Sequence, residues 1–128
     1  MIKRKLFALC MIAILLVGCA PNEASYEQID AKEAQAMMAE NDNEIVLDVR
    51  TEEEYNEAHI TGAINIPNES ISDAPPSELK DKEQLIMVYC RSGNRSKQAA
   101  KKLSTMGYTN IVEFGGINDW QGPTESAS

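Results

Sequence analysis

The stretch Leu85-Ile86-Met87-Val88-Tyr89-Cys90-Arg91-Ser92-Gly93-Asn94-Arg95-Ser96 decides how this chain folds. Its first five residues form an apolar run that predicts a buried strand, and Cys90 stands at the end of that strand. A short loop with one glycine and two arginines follows, and residues 97–106 have a helical pattern. A strand, a loop and a helix N-terminus in this order place backbone N–H groups around the strand end, where they favour negative charge.

This surrounding makes Cys90 a candidate nucleophile. Helix N-termini and neighbouring cations lower the pKa of a cysteine thiol from about 8.5 to roughly 3.5–7.5, and the thiolate is the nucleophilic form. Arg91 and Arg95 supply the cations. Gly93 can adopt a positive φ, which lets the backbone approach the sulfur. The alternative interpretation of Cys90 is a buried, inert thiol.

Outward from this stretch, strand and helix patterns alternate. Strands are predicted over residues 26–29, 44–49, 63–66 and 110–114, and helices over 31–40, 52–57 and 77–82. Asp30 with Glu33, and Thr51 with Glu54, have the spacing of capping boxes at helix starts. Alternating strands and helices predict an α/β fold with a mostly parallel sheet covered by helices on both faces. Ligands bind beyond the C-terminal strand ends of such sheets, which is where Cys90 falls.

Three blocks of the sequence, in order, resemble the rhodanese (sulfurtransferase) family. The first runs from Leu47-Asp48-Val49-Arg50 through Glu54-Tyr55 to the segment of residues 59–67, His-Ile-Thr-Gly-Ala-Ile-Asn-Ile-Pro. The second is the six-residue loop from Cys90 to Arg95, and the third is Gly115-Gly116-Ile117-Asn118-Asp119-Trp120. The resemblance covers about residues 26–120 and implies a rhodanese-like α/β fold with about five strands. Ala58 and Thr61 depart from it, because the family commonly has Gly and Pro there.

The resemblance also implies a chemistry. In the family, the cysteine attacks the outer sulfur of thiosulfate or a similar small anionic donor and becomes a persulfide. A thiol or cyanide acceptor then removes the sulfur, and a thioredoxin-like protein is one candidate acceptor. Cys90 is the implied catalytic residue, and no cofactor or metal is expected. The implied substrate-binding residues are Arg91, Ser92, Gly93, Asn94, Arg95 and Ser96.

Other interpretations remain open at this point. Cys90 could hold sulfane sulfur as a carrier or sensor module that turns over little by itself. A Cdc25-like phosphatase or arsenate reductase would use a seven-residue loop, whereas here the arginine follows Cys90 by five positions. Asp48 and Arg50 fit a structural ion pair or a helix cap, and His59 fits a turn held by its own hydrogen bonds. A contribution of these three residues to the site is left open.

The N-terminus has the pattern of a lipoprotein signal. Lys3, Arg4 and Lys5 precede an apolar segment over residues 6–17. That segment is too short to span a bilayer, which needs about 20 residues, but it suits the h-region of a signal peptide. It ends in Leu16-Val17-Gly18-Cys19, which resembles a bacterial lipobox and implies cleavage before Cys19 and lipidation of its thiol. An ordinary signal peptide and a retained helical anchor are the alternatives.

The predicted organisation is therefore a signal peptide (1–18), a lipidated cysteine with a short linker (19–25), a rhodanese domain (26–121) and a disordered tail (122–128). Cleavage would discard Cys10 and leave Cys90 as the one free thiol. The net charge is −8, and removal of the cationic n-region makes the chain more acidic. This charge argues against nucleic-acid binding. We expect attachment to the bacterial cell membrane through the lipid alone, on the extracytoplasmic side.

We expect Cys19 to carry the anchor. A diacylglyceryl group with an added acyl chain such as palmitate exceeds the two-chain threshold for stable membrane binding. In cells expressing the full chain, the protein should fractionate with membranes and take up labelled palmitate, and Cys19→Ser should lose the label. If Cys19→Ser stays in the membrane fraction to the same extent, an uncleaved apolar segment is the anchor instead.

Overall fold

A parallel sheet forms the centre of the computed structural model, which describes residues 25–127. The chain contains seven strands in this region: β1 (Glu27–Gln28), β2 (Ile45–Asp48), β3 (His59–Ile60), β4 (Ile64–Asn65), β5 (Ile86–Cys90), β6 (Ile111–Gly116) and β7 (Thr124–Glu125). Five of them form the sheet in the order β1-β6-β5-β2-β4, and all neighbouring pairs are parallel. The predicted rhodanese-like α/β fold with a five-stranded sheet is confirmed.

Three helices connect these strands: α1 (Ala31–Glu40), α2 (Glu52–Glu57) and α3 (Asn94–Thr105). Single 3₁₀ turns occupy residues 68–70 and 117–119. Both predicted capping boxes are present, because Asp30 and Thr51 each accept a hydrogen bond from the N–H three residues later and the glutamate there reciprocates. Helices α1 and α2 therefore begin directly after Asp30 and Thr51, as the sequence predicts.

The central strand β5 is buried on both faces, and its side chains alternate between two cores. Ile86, Val88 and Cys90 pack in a cluster with the apolar face of α3. Met87 and Tyr89 pack in a second cluster that includes Ala34 of α1. Helices therefore cover both faces of the sheet, as parallel sheets require. The alternation directs the side chain of Cys90 toward α3 rather than α1.

A buried polar network ties three strands together beside Cys90. The carboxylate of Asp48 accepts hydrogen bonds from Arg50 Nη2 at 2.7 Å and from the hydroxyl of Tyr89 at 2.6 Å. The same hydroxyl accepts a hydrogen bond from the N–H of Ile60 at 3.0 Å. Burial, followed by the charge of Asp48, raises the pKa of Tyr89 above its ordinary value. The network joins the ends of β2 and β5 to the start of the antiparallel pair β3 and β7.

Two expectations from the sequence are wrong in this region. Residues 77–82 form turns instead of a helix. The residue three after Ser77 is Lys80, so the segment lacks the capping box that begins the equally short α2. The tail that was expected to be disordered from Gly122 contains β7, which pairs with β3. Its Glu125 carboxylate accepts a hydrogen bond from the N–H of Gly62 at 3.2 Å. The polar composition of the tail gives no indication in the sequence that it pairs with the edge of β3.

The predicted signal peptide and Cys19 lie outside the described residues. None of the helices within residues 25–127 has the length and apolar composition needed to span a bilayer.

We predict that Tyr89→Phe lowers the free energy of unfolding by about 1–3 kcal/mol, because it removes one donor from the buried carboxylate of Asp48 and leaves the N–H of Ile60 without its partner. Urea unfolding followed by circular dichroism measures the change. Tyr26→Phe, which removes the hydroxyl of a half-buried tyrosine near the start of β1, is the matched control. An equal, small effect of both substitutions would contradict this account of the network.

Candidate active site

The thiol of Cys90 lies at the C-terminal end of β5, where the chain turns sharply into α3. Gly93 takes a φ of 115° at the N-cap position of that helix. This left-handed conformation, which glycine adopts without strain, aims the N–H of Gly93 back at the sulfur, with an N to Sγ distance of 3.0 Å. The Cys90 residue is only 1% exposed, so the thiol lies at the base of its loop.

Two opposing effects act on the protonation of this thiol. Burial alone would raise the pKa of Cys90, because it disfavours the thiolate. The hydrogen bonds that the thiolate can accept from the Ser96 hydroxyl and from the backbone N–H groups of Ser96, Gly93 and Ser92 outweigh burial, and the pKa of Cys90 lies below its ordinary value. The thiol is buried, but its surroundings favour the anion, so it does not behave as an inert apolar side chain.

Close packing of β6 against the loop depends on Gly116. Cys90 and Gly116 are partners across the β5–β6 pair. A Cβ at Gly116 would overlap the carbonyl of Arg91 and would lie 2.6 Å from the N of Ser92. The N–H of Asn118 donates to the Arg91 carbonyl at 3.2 Å. The absence of a side chain at Gly116 therefore lets the backbones of β6 and the loop pack closely.

Both loop arginines bind one carboxylate, that of Glu54. Arg95 donates from Nη1 to Oε1 at 2.7 Å and from Nη2 to Oε2 at 3.1 Å. Arg91 donates from Nη2 to Oε2 at 3.1 Å. The N–H and hydroxyl of Thr51 also donate to Oε1, each at 3.0 Å. The side chain of Arg91 is 58% exposed and that of Arg95 is 29% exposed, so both side chains remain partly accessible to solvent.

The sequence predicted only a capping role for Glu54 and gave no indication that it binds both Arg91 and Arg95. This contact is called the Glu54 clamp below. The hydrogen bond from Arg95 is the main reason that the pKa of Glu54 lies well below its usual range. The same bond raises the pKa of Arg95. One signal could have revealed the contact: Glu54 lies in the first turn of the helix that follows β2, and its block of the sequence resembles the same family as the loop block. Parallel strands β2 and β5 end at the same edge of the sheet.

Behind the thiol, a second acidic residue bonds to Ser96. Ser96 and Glu113 are both buried, at 0% and 2% exposure. The Ser96 hydroxyl lies 2.5 Å from Oε2 of Glu113, and the N–H of Gly115 donates to the same oxygen at 2.8 Å. The thiol of Cys90 donates to Ser96 Oγ at 3.4 Å. The sequence analysis missed Glu113, although a charged residue within the apolar strand β6 is itself a signal.

The remaining candidates are placed as follows. Ser92 on the loop and Asn94 at the first position of α3 are both exposed. Asp48 and Arg50 form the buried ion pair that the sequence suggests, with 2.7 Å between Oδ2 and Nη2. His59 donates from Nδ1 to the Tyr55 carbonyl at 2.8 Å and stacks on the ring of Tyr55. Within residues 25–127, no group of three or more His, Cys, Asp or Glu residues is arranged to hold a metal ion.

Comparison with known proteins gives a family match over most of the chain. The sequence model of the rhodanese-like domain family matches residues 30–123. Thiosulfate sulfurtransferase GlpE of Coxiella burnetii is 31% identical over 106 residues, covering 80% of this chain and 96% of GlpE. Thiosulfate sulfurtransferase PspE of Escherichia coli is 41% identical over 73 residues, covering 57% of this chain and 70% of PspE.

A further relative is larger than this chain. The putative sulfur carrier protein YrkF of Bacillus subtilis is 30% identical over 105 residues, and the match covers 81% of this chain and 56% of YrkF. Among solved structures, a rhodanese with anions from E. coli has a TM-score of 0.60 at 38% identity, covering 65% of this chain and 98% of that chain. A rhodanese-like domain from Anabaena has a TM-score of 0.70 at 32% identity, with 77% and 78% coverage.

We predict that Glu54→Gln lowers the free energy of unfolding at pH 7 by about 1.5–3 kcal/mol, the range for hydrogen bonds to charged groups. The folded-state pKa of Glu54 is depressed, so its contribution is complete above the unfolded value of 4.5. The contribution then falls as the pH drops toward the folded-state value. Urea unfolding at pH 7 and pH 3 should show a smaller difference at pH 3. A difference independent of pH would contradict an ionic clamp.

Proposed function

The chain belongs to the rhodanese-like domain family, and from this premise we propose that it transfers sulfane sulfur through a persulfide on Cys90. It is a sulfurtransferase, as its similarity to two thiosulfate sulfurtransferases indicates. The observation that carries the persulfide proposal is the hydrogen bond from the Gly93 N–H to the sulfur of Cys90. A sulfur anion at a ring of backbone donors is both a stabilised nucleophile and a stabilised leaving group.

In the first step, the Cys90 thiolate attacks the outer sulfur of thiosulfate or a similar anion. A new S–S bond forms, the S–S bond of the donor breaks, and sulfite leaves with the bonding electron pair. In the second step, a thiol or cyanide acceptor attacks the terminal sulfur, and the Cys90 thiolate leaves. Both steps exchange one sulfur–sulfur bond for another or for a carbon–sulfur bond, so they need no cofactor.

The loop residues Arg91, Ser92, Gly93, Asn94, Arg95 and Ser96 form the proposed donor site. The side chains of Arg91 and Arg95 remain partly exposed while the carboxylate of Glu54 holds both guanidinium groups. Held in this way, the arginines lose little side-chain freedom when they bind the oxygens of an anionic donor. Ser92 and Asn94 are exposed at the mouth of the loop, where they can donate hydrogen bonds to the same oxygens.

We place this reaction on the extracytoplasmic side of a bacterial membrane. The support is the sequence alone: the cationic n-region, the apolar residues 6–17 and the lipobox-like Leu16-Val17-Gly18-Cys19. A short linker then holds the domain close to the lipid surface. There it would meet inorganic sulfur anions and an exported thiol acceptor, for which a thioredoxin-like protein is a candidate.

A second function, that of a sulfane-sulfur carrier, has one observation in its favour. Cys90 is almost fully buried, which would protect a bound sulfur from small acceptors and slow turnover. The similarity to YrkF, which is described as a putative sulfur carrier, agrees with this alternative. Steady-state turnover with thiosulfate and cyanide separates the two, because a carrier would form the persulfide stoichiometrically and then stall. The six-residue loop disfavours the third alternative, a Cdc25-like phosphatase or arsenate reductase.

We predict that thiosulfate adds one sulfur atom, about 32 Da, to Cys90. Intact-mass analysis of the full chain should show this adduct, and a reductant or cyanide should remove it. Cys90→Ser should gain nothing under the same conditions, while Cys10→Ser should behave like the wild-type chain. An adduct that persists in Cys90→Ser, or none in the wild type, would disprove the persulfide assignment.

A further inference from the structure

The carboxylate of Glu113 occupies an unusual place for a charged group. It lies in the middle of β6, whose other side chains are apolar, and the residue is 2% exposed. Placing a carboxylate in the core costs several kcal/mol unless partners compensate it. Its negative charge also stands behind the thiol whose anion the loop stabilises, and like charges disfavour each other. Nothing in the two transfer steps uses Glu113, so its presence needs another explanation.

The Ser96 hydroxyl connects Glu113 to Cys90. It carries a single proton and has three oxygen acceptors within reach: Glu113 Oε2 at 2.5 Å, the Gly93 carbonyl at 3.0 Å and the Gly115 carbonyl at 3.2 Å. The shortest distance, to Glu113, lies in the range of a hydroxyl bonded to a carboxylate, about 2.5–2.7 Å. With its proton directed at Glu113, Ser96 turns a lone pair toward the thiol, which donates to Oγ at 3.4 Å.

We propose that Glu113 takes up, through the Ser96 hydroxyl, the proton that Cys90 releases when it becomes a thiolate. Glu113 is thus a positioning residue for the sulfur transfer, acting on the sulfur through Ser96. The inference deepens the proposed function and rests on it, because the proposed sulfur transfer is the reaction in which the thiolate acts. The proposal rests on the order of three groups in space. The thiol of Cys90, the hydroxyl of Ser96 and the carboxylate of Glu113 form a row in which each group lies within hydrogen-bond distance of the next.

The proton transfer balances without any further reactant. The S–H bond of Cys90 breaks as its proton bonds to Ser96 Oγ, and the former Oγ proton bonds to Glu113 Oε2. The single negative charge moves from the carboxylate to the sulfur, where the loop N–H groups receive it. Ser96 now donates to the sulfur anion, and the neutral carboxyl group donates to Ser96. The buried site keeps one negative charge throughout, so the like-charge conflict between Glu113 and the thiolate disappears.

The other groups that face Glu113 carry no net charge. From β1, it faces the neutral amide of Gln28, whose Nε2 donates to Oε1 at 3.4 Å. A cavity of about 560 Å³ adjoins Glu113, and its charged lining residues come from α3, from the start of α1 and from the 3₁₀ turn after β6. These lining residues are Lys97, Asp30, Lys32 and Asp119. They carry two positive and two negative charges, which cancel.

The test is the pH dependence of alkylation at Cys90. The full chain is treated with iodoacetamide across a pH series, and the modified peptide that contains Cys90 is quantified by mass spectrometry. Glu113→Gln keeps the shape, removes the charge and supplies an amide that donates permanently to Ser96. The highest-pH step of the alkylation profile should move down by about one pH unit or more, a tenfold change in thiolate fraction. Glu40→Gln, at the exposed end of α1, should leave the profile unchanged.

A Ser96→Ala background separates the hydroxyl relay from a simple through-space charge. Without the hydroxyl, Glu113→Gln should shift the step by less than half as much. An equal shift in both backgrounds, or no shift in the presence of Ser96, overturns the proposal. If Ser96→Ala does not fold, infrared spectra of the wild-type chain decide. In the wild-type chain a protonated-carboxyl band should persist at pH values where the thiolate has already formed, and this band should be absent in Glu113→Gln; its loss before the thiolate forms contradicts the proposal.

These measurements need no sulfur donor, so they are independent of the proposed activity. A persulfide on the wild-type chain with an unchanged profile in Glu113→Gln would refute the relay and leave the sulfur transfer intact. A shifted profile without any persulfide would refute the sulfur transfer and leave the coupling of Glu113 to Cys90 intact.

Discussion

The arrangement of this protein depends on one contact, the hydrogen bond from the Gly93 N–H to the sulfur of Cys90 at 3.0 Å. It forms only because Gly93 takes a φ of 115°, which turns the loop back over the end of β5. The turn allows α3 to begin at Asn94 and brings Ser96 behind the sulfur. It also brings the Arg91 carbonyl so close to Gly116 that no side chain fits between them. The strand end, the loop and the helix start form one rigid unit.

Two buried or half-buried acids hold this unit from opposite sides. Glu54 binds both loop arginines at the mouth, where its charge reduces the net positive charge that the sequence suggests. Glu113 bonds to Ser96 on the inner side. The backbone N–H groups therefore carry more of the stabilisation of the sulfur anion than a count of cations implies, because they point at the sulfur and the guanidinium groups point at Glu54. The arginines therefore contribute less to activating the thiol than their charges alone suggest.

The sequence was sufficient for the features that depend on neighbours along the chain. Alternating apolar and helical patterns predicted the parallel sheet, and the spacing of Thr51 with Glu54 predicted a capping box. The loop from Cys90 to Arg95 was correctly expected at a strand end. Features that depend on distant segments were missed, namely the Glu54 clamp, the Ser96–Glu113 pair and the pairing of β7 with β3. Each joins segments separated in sequence, and periodicity within one segment carries no record of such a contact.

The central claim is that hydrogen bonds from the Ser96 hydroxyl and from the loop N–H groups favour the thiolate of Cys90 despite its burial. The most direct measurement is the ¹³Cβ chemical shift of labelled Cys90 as a function of pH, which reports ionisation of the thiol without any reaction. The account predicts a midpoint clearly below the ordinary thiol value of about 8.5, because the hydrogen bonds to the sulfur outweigh the effect of burial. A midpoint at or above that value would mean that burial dominates, and it would contradict the assignment of Cys90 as the nucleophile.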